Sequence, residues 1–335
     1  MNIRTLGLVL VLFCSGLVNA QQRVSKLTPL SVNPGLITVS GISAGGFMAV
    51  QMHVALSTVF KGSASVAGGI YWCAQGNALQ AQMTCMRNPG MLNTATFLQK
   101  AKSEEAAGKI EKLENLKNSR VFIYAGKNDS IVAPGNSDKL YEFFSKVTST
   151  KNIKYKNDVP SGHGWITNRF GGSCGSQASP WMSNCNYDMA GDILTHMYGP
   201  LLPPIKSSTE MKKQLFAFDQ SEFQTGNSSL YQTGYVYVPK ACQSTRSGCR
   251  LHVNFHGCQM GPNYIQDQYV TNNGLNEWAE TNNIVVLYPQ ATSSGFTNPY
   301  GCWDWFGYTG SDYVNKNGPQ VIAIQKMVYR LLGKF

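Results

Sequence analysis

The sequence predicts an α/β protein built on a mostly parallel, doubly wound sheet. Three observations predict it. Short apolar runs rich in β-branched and aromatic residues alternate with helix-patterned stretches along the chain. A glycine-flanked serine stands between one such strand and the helix that follows it. The length of 335 residues, 43% of them hydrophobic, is ample for one large core. Charged residues make up 14% of the chain, against roughly 25% in an average soluble protein. High aromatic content with low charge excludes disorder, and no Gly-x-y period supports a collagen.

The elements follow in order. Residues 36–40 form a β-rich run that ends at Gly41-Ile42-Ser43-Ala44-Gly45, and residues 46–56 have helical composition. A buried strand is expected over 63–70, a Lys/Glu-patterned helix over 104–117, and an apolar strand over 121–125. Helices are expected over 137–147 and 187–198. The C-terminal third repeats the pattern, with strands at 235–238, 251–255 and 284–288 and helices at 275–282 and 320–332. The stretch 198–233 has several Pro, Ser and Gly and weak periodicity, so it reads as an insert or connector.

Residues 1–20 read as a secretory signal: Arg4 in a short basic region, an apolar core, and Val18-Asn19-Ala20 as the cleavage site. Phe13 before Cys14 argues against lipid attachment, and no later run reaches the ~18 apolar residues of a membrane span. The mature protein is therefore expected to be secreted, extracellular or periplasmic, with residues 21–335 forming a single catalytic domain. Its eight cysteines suit an oxidising compartment. Close neighbours suggest the pairs Cys73–Cys85, Cys174–Cys185 and Cys242–Cys249, which leaves Cys258–Cys302 as a long-range clamp. No cysteine pair has metal-ligand spacing, so neither metal nor cofactor is expected. The formal net charge of +10 is scattered; even the groups at 151–156 and Lys212-Lys213 lack the run of a nucleic-acid stripe. Neither nucleic acid nor membrane is an expected partner, and a monomer is.

Gly-x-Ser-x-Gly between a strand and a helix is a nucleophile elbow: a sharp turn lifts the serine oxygen clear of the sheet, and the flanking glycines let backbone pass without Cβ clashes. Ser43 is thus the expected nucleophile. Of the five histidines, His53 and His196 fall within helices, His252 lies in a strand, and His256 precedes Gly257-Cys258 at a strand end. His163, in the loop Pro160-Ser161-Gly162-His163-Gly164-Trp165, is left as the general base. The acid should follow an apolar strand between serine and histidine; Asp129 fits, and Asp158 is the alternative. The oxyanion hole needs two backbone amides, expected from Ala44 and from Cys258 in the His-Gly-Cys motif. That motif lies more than 200 residues after the serine, whereas the usual hydrolase order puts it before. Joining residue 335 to the mature N-terminus would restore the order, so the chain reads as a circularly permuted α/β-hydrolase.

The motifs Gly41-Ile42-Ser43-Ala44-Gly45-Gly46-Phe47-Met48, His256-Gly257-Cys258-Gln259 and Cys302-Trp303-Asp304-Trp305-Phe306-Gly307-Tyr308 resemble those of the secreted poly(3-hydroxybutyrate) depolymerases, particularly the single-domain, circularly permuted kind. The resemblance spans about residues 30 to 335. It implies a Ser43–His163–Asp129 esterase, with Ala44 and Cys258 as oxyanion donors and Trp303 or Trp305 against a monomer unit. The implied substrate is an insoluble polyester or its hydroxyalkanoate oligomers, met without a separate substrate-binding module. The alternative on the same scaffold is a feruloyl, acetyl or lipid esterase. An inactive binding protein would have no need of the complete catalytic set.

Overall fold

The computed structural model describes residues 24–206, 208–244 and 248–335. The expected signal segment 1–20, with Cys14, lies outside the described residues.

Eight strands form the main sheet in the order β4-β3-β2-β1-β10-β11-β9-β8. They are β1 (Val32–Ile42), β2 (Gly62–Val66), β3 (Arg120–Tyr124), β4 (Ile153–Lys156), β8 (Leu215–Asp219), β9 (Thr233–Tyr237), β10 (Cys249–Phe255) and β11 (Ile284–Tyr288). From β4 across to β11 every pairing is parallel, and β9 and β8 close one side antiparallel. In the central pair, Val39 stands opposite Val253 and Gly41 opposite Phe255. β2 and β11 are buried along their whole length, because parallel strands are covered on both faces. A second, three-stranded sheet, β5 (Trp165–Thr167), β7 (Met182–Asn184) and β6 (Gly172–Ser173), braces the loop after β4.

Helices α1 (Ala44–Ala55), α2 (Thr94–Ala106), α3 (Gly135–Val147) and α6 (Pro319–Leu331) share one core, built from residues such as Met48, Phe97, Phe143 and Ile324. Helices α4 (Met189–Tyr198) and α5 (Leu275–Asn282) cover the other face through Ile193, Leu194, Leu275 and Ala279. All twelve residues of α1 are buried, so the helix that follows the serine is sealed within the protein. Among the described residues no helix is long and apolar enough to cross a membrane.

Two expectations are corrected. The helix expected over 104–117 lies upstream, as α2, with Asn93 accepting from the Ala95 amide at its start. Gly108, at φ +68°, stops helical continuation, and Leu113–Asn118 is only a 3-10 segment. Lys/Glu patterning had suggested a solvated helix, but Glu104 turns inward to pair with Lys100 and to accept from Asn315 Nδ2 at 2.8 Å. The supposed connector 198–233 contains β8, paired with β9 through five residues. Its apolar run Leu215-Phe216-Ala217-Phe218 is only four residues long and is flanked by Lys, Gln, Asp and Ser, so it was absorbed into the polar stretch around it.

Three histidines are sealed in the interior in neutral form. His252 on β10 lies between two β1 hydroxyls, with Nδ1 2.7 Å from Thr38 Oγ1 and Nε2 2.7 Å from Ser40 Oγ. Burial pushes its pKa from 6.5 down to about 3. Burial, helped by Lys61, takes His53 to about 3, and burial takes His256 to about 4. Because the native state resists protons that the unfolded chain accepts, their stabilisation is complete above pH 6.5 and lost as pH falls towards those lowered values. Each contributes up to about 1.4 kcal/mol per pH unit in that window. Urea unfolding between pH 6.5 and 5, above the carboxylate range, is expected to show stability falling steeply with acid, and His252→Gln to reduce the slope.

Candidate active site

Strands β1 to β4 are parallel, so the loops after their C-terminal ends emerge on one edge of the sheet. Ser43 follows β1 directly, Asp129 lies in the loop after β3, and His163 in the loop after β4. Ser43 has φ 55° and ψ −123°, a region sparsely populated by non-glycine residues. Such strain marks a nucleophile elbow. The packing around the turn enforces it. A Cβ on Gly45 would stand 2.4 Å from the His256 carbonyl oxygen and 2.5 Å from that of Phe255, and one on Gly41 would meet the Gly45 carbonyl oxygen at 2.2 Å. The serine turn is thus pressed directly onto the end of β10, backbone against backbone.

Asp129 and His163 are joined: Asp129 Oδ2 is 2.7 Å from His163 Nδ1. The other carboxylate oxygen accepts from the amides of Ile131 and Val132, both at 2.9 Å, which locks the carboxylate plane. Both side chains are almost fully buried. With Nδ1 facing the carboxylate, the tautomer it favours leaves Nε2 as the basic nitrogen. Asp158 is exposed and paired with Lys156 instead. The acid and base loops are laced together by Lys127 N–H to the Val159 carbonyl at 2.9 Å and Asn128 N–H to that of Ser161 at 3.0 Å.

Gly257 packs against the serine; a Cβ there would lie 3.2 Å from Ser43 Cβ. His256 sets the direction of the next peptide. Its Nε2 accepts from the Ala291 amide at 3.1 Å, so Nδ1 carries the hydrogen and donates to the Gly257 carbonyl oxygen at 2.7 Å. In a trans peptide the N–H points opposite to the C=O, so holding the Gly257 oxygen aims the Cys258 amide the other way. Ala44 is the first residue of α1, and its amide has no acceptor within the helix.

The four disulfides are Cys73–Cys85, Cys174–Cys185, Cys242–Cys249 and Cys258–Cys302. The last ties the Cys258 loop to the tryptophan segment. Of its two tryptophans, Trp303 is 0% exposed, packed on Phe255 with ring centroids 4.8 Å apart. Trp305 keeps 7% exposure and stacks on Phe47 at 4.3 Å. Only Trp305 of the pair retains surface to offer. Asp304 between them is buried, and it receives the amides of Phe306, Gly307, Tyr308 and Thr309 and the Thr309 hydroxyl. Sequence reasoning did not find the roles of Phe47 or His256, since stacking and tautomer depend on contacts between distant segments.

Gly45→Ala is expected to lower unfolding free energy by about 2–4 kcal/mol in urea titrations, because backbone on both sides must shift. Gly90→Ala, where a Cβ meets nothing within 4 Å, should stay within about 0.5 kcal/mol.

Residues 18–186 match the Prolyl oligopeptidase family. The chain is 42% identical to a poly(3-hydroxybutyrate) depolymerase of Delftia acidovorans over 308 residues, which cover 91% of this chain and 61% of that protein. It thus spans about three-fifths of that relative's length. A polyhydroxybutyrate depolymerase of Talaromyces funiculosus is 34% identical, with 94% of this chain and 95% of the relative aligned. Among solved structures, the PHB depolymerase from Penicillium funiculosum is similar with a TM-score of 0.85 and 34% identity, over 93% of this chain and 100% of that one. The same values hold for a PHB depolymerase variant complexed with an R3HB trimer.

Proposed function

The chain belongs to the polyhydroxybutyrate depolymerase family of α/β-hydrolases, and from that premise we propose that it is a secreted serine esterase cleaving poly(3-hydroxybutyrate) and its oligomers through an acyl-enzyme. The observation that carries the reading is the buried Asp129–His163 pair on the same sheet edge as a strained Ser43. Ser43 Oγ attacks the ester carbonyl while His163 Nε2 takes its proton. Asp129 holds the imidazole in its tautomer and stabilises the imidazolium. The amides of Ala44 and Cys258 receive the oxyanion. His163 then returns the proton to the leaving hydroxyl, and a water activated by the same nitrogen releases the acid.

Loops at this edge present apolar side chains to solvent. Leu79, Met83 and Met91 lie in the segment after β2, Tyr264 follows β10, and Phe296 and Tyr300 follow β11. Exposed apolar groups of this kind suit adsorption to an insoluble, uncharged polyester, and we assign the monomer contact to Trp305, the less buried of the two tryptophans. Four disulfides support an oxidising compartment. We read residues 21–335 as one catalytic domain of permuted order, since Leu30 N–H donates to the Leu331 carbonyl at 3.0 Å and α6 leads in space to the start of β1. A first strand and a last helix joined this closely are what a permuted order requires.

A clearing zone on a poly(3-hydroxybutyrate) suspension, with release of 3-hydroxybutyrate oligomers, is the expected result; cleavage of p-nitrophenyl butyrate or methyl ferulate without any attack on polymer or oligomer would overturn the substrate assignment. Ser43→Ala should lower kcat by at least about 10⁴-fold while polymer adsorption is kept. Asp129→Asn should lower kcat by up to about 10⁴-fold, and Asp158→Asn should have little effect; the reverse result would exchange their roles.

A further inference from the structure

The acid and base loops meet a third segment that no catalytic role explains. Between β6 and β7 the chain makes a loop spanned by the Cys174–Cys185 disulfide, and Gln177 projects from it between the other two loops. Its Oε1 accepts the backbone N–H of Ser130 at 2.9 Å and the backbone N–H of His163 at 3.2 Å. Its Nε2 donates to Ser130 Oγ at 3.0 Å. Ser130 is the residue after the acid, and His163 is the base itself. One amide oxygen therefore fastens the main chain on both sides of the 2.7 Å Asp129–His163 contact.

The loop that carries Gln177 is itself held. Gly162 N–H donates to the Cys174 carbonyl at 3.0 Å, and Trp165 N–H to that of Trp181 at 2.9 Å. The Trp181 ring meets the His163 imidazole edge-on, with centroids 6.3 Å apart. Gly162 comes so near that a Cβ there would stand 2.4 Å from Gln177 Cγ. A side chain seated this closely, on a loop pinned at both ends, has few alternatives to the bonds it makes.

We propose that Gln177 is a positioning residue for the triad, its single acceptor oxygen holding the Asp129 and His163 loops at the separation that proton transfer requires. The proposal rests on the Ser43–His163–Asp129 reading above. Displacement of a catalytic group by about 1 Å can cost on the order of 100-fold in rate, whereas ester binding to the cleft does not depend on these two amides.

The test uses steady-state hydrolysis of p-nitrophenyl butyrate with thermal unfolding alongside. Gln177→Met, similar in volume but without the acceptor, is expected to lower kcat about 10- to 100-fold with KM within about twofold. Gln177→Glu keeps an oxygen in place and should retain kcat within about threefold. A Gln177→Met enzyme with kcat within about twofold of the parent overturns the proposal. So does a loss confined to KM, or a Gln177→Glu variant as impaired as Gln177→Met. Should Gln177→Met fail to fold, Gln177→Asn decides: it stays polar but is one methylene too short to span both amides, and undiminished kcat there overturns the proposal. Ser43→Ala run in parallel separates the two readings. Activity surviving in that variant overturns the triad itself, while a dead Ser43→Ala beside unaffected Gln177 variants removes the positioning role alone.

Discussion

The site depends on a contact that only glycine permits. Gly45 brings the first turn of α1 against the carbonyls of Phe255 and His256, where any Cβ would collide with backbone. That approach forces Ser43 into its strained conformation and brings Gly257, with the Cys258 amide beyond it, against the serine. It requires β1 and β10 to be neighbours in register, and the pairing of Gly41 with Phe255 supplies this. The interior polar network then has a reason to exist: His252 bridges Thr38 and Ser40 of β1, and Asn254 Nδ2 donates to Ser40 Oγ at 2.7 Å, so the two central strands are locked by side chains as well as by backbone.

The site is built in layers whose sequence origins differ. The elbow is local: strand, glycine-flanked serine and helix lie within two dozen residues. Asp129 and His163, the proposed acid and base, come from separate loops that hydrogen bonds hold together. The proposed oxyanion side, at Gly257-Cys258, comes from the C-terminal third of the chain and is held by a histidine tautomer and a disulfide. Each layer adds a constraint that the previous one lacks.

Legibility follows the same gradient. The buried strands β3 and β11 were readable within a residue or two because strands buried on both faces have long apolar runs, β10 because Leu251, Val253 and Phe255 alternate with polar residues, and the helices α5 and α6 from their composition. Ser43, Asp129 and His163 could be singled out as candidates because a glycine-flanked serine after a strand, and an acid and a histidine in loops past it, have local signatures. Less was readable where tertiary contacts override composition. β4, reading Ile153-Lys-Tyr-Lys, looked like a basic cluster, since an edge strand buries one face at most, and the four apolar residues of β8 were lost between polar flanks. Glu104 gave a helix signal that Gly108 cut short. Which tryptophan keeps exposed surface was beyond sequence, since Trp303 and Trp305 are two residues apart and differ only in what covers them.

The contact between Leu30, just before β1, and Leu331, at the end of α6, has a practical side. β1 runs from Val32 towards the serine, so its start marks the edge of the sheet away from the catalytic loops. Leu30 and Leu331 are bonded at that edge, and Arg330 reaches from there to the Leu27 carbonyl at 3.1 Å. A tether placed beside Leu30 or beside Leu331 would therefore leave the protein facing its surroundings the same way, with the serine edge outward. An enzyme immobilised on a bead or a fibre through either of these points would present the same face to its surroundings.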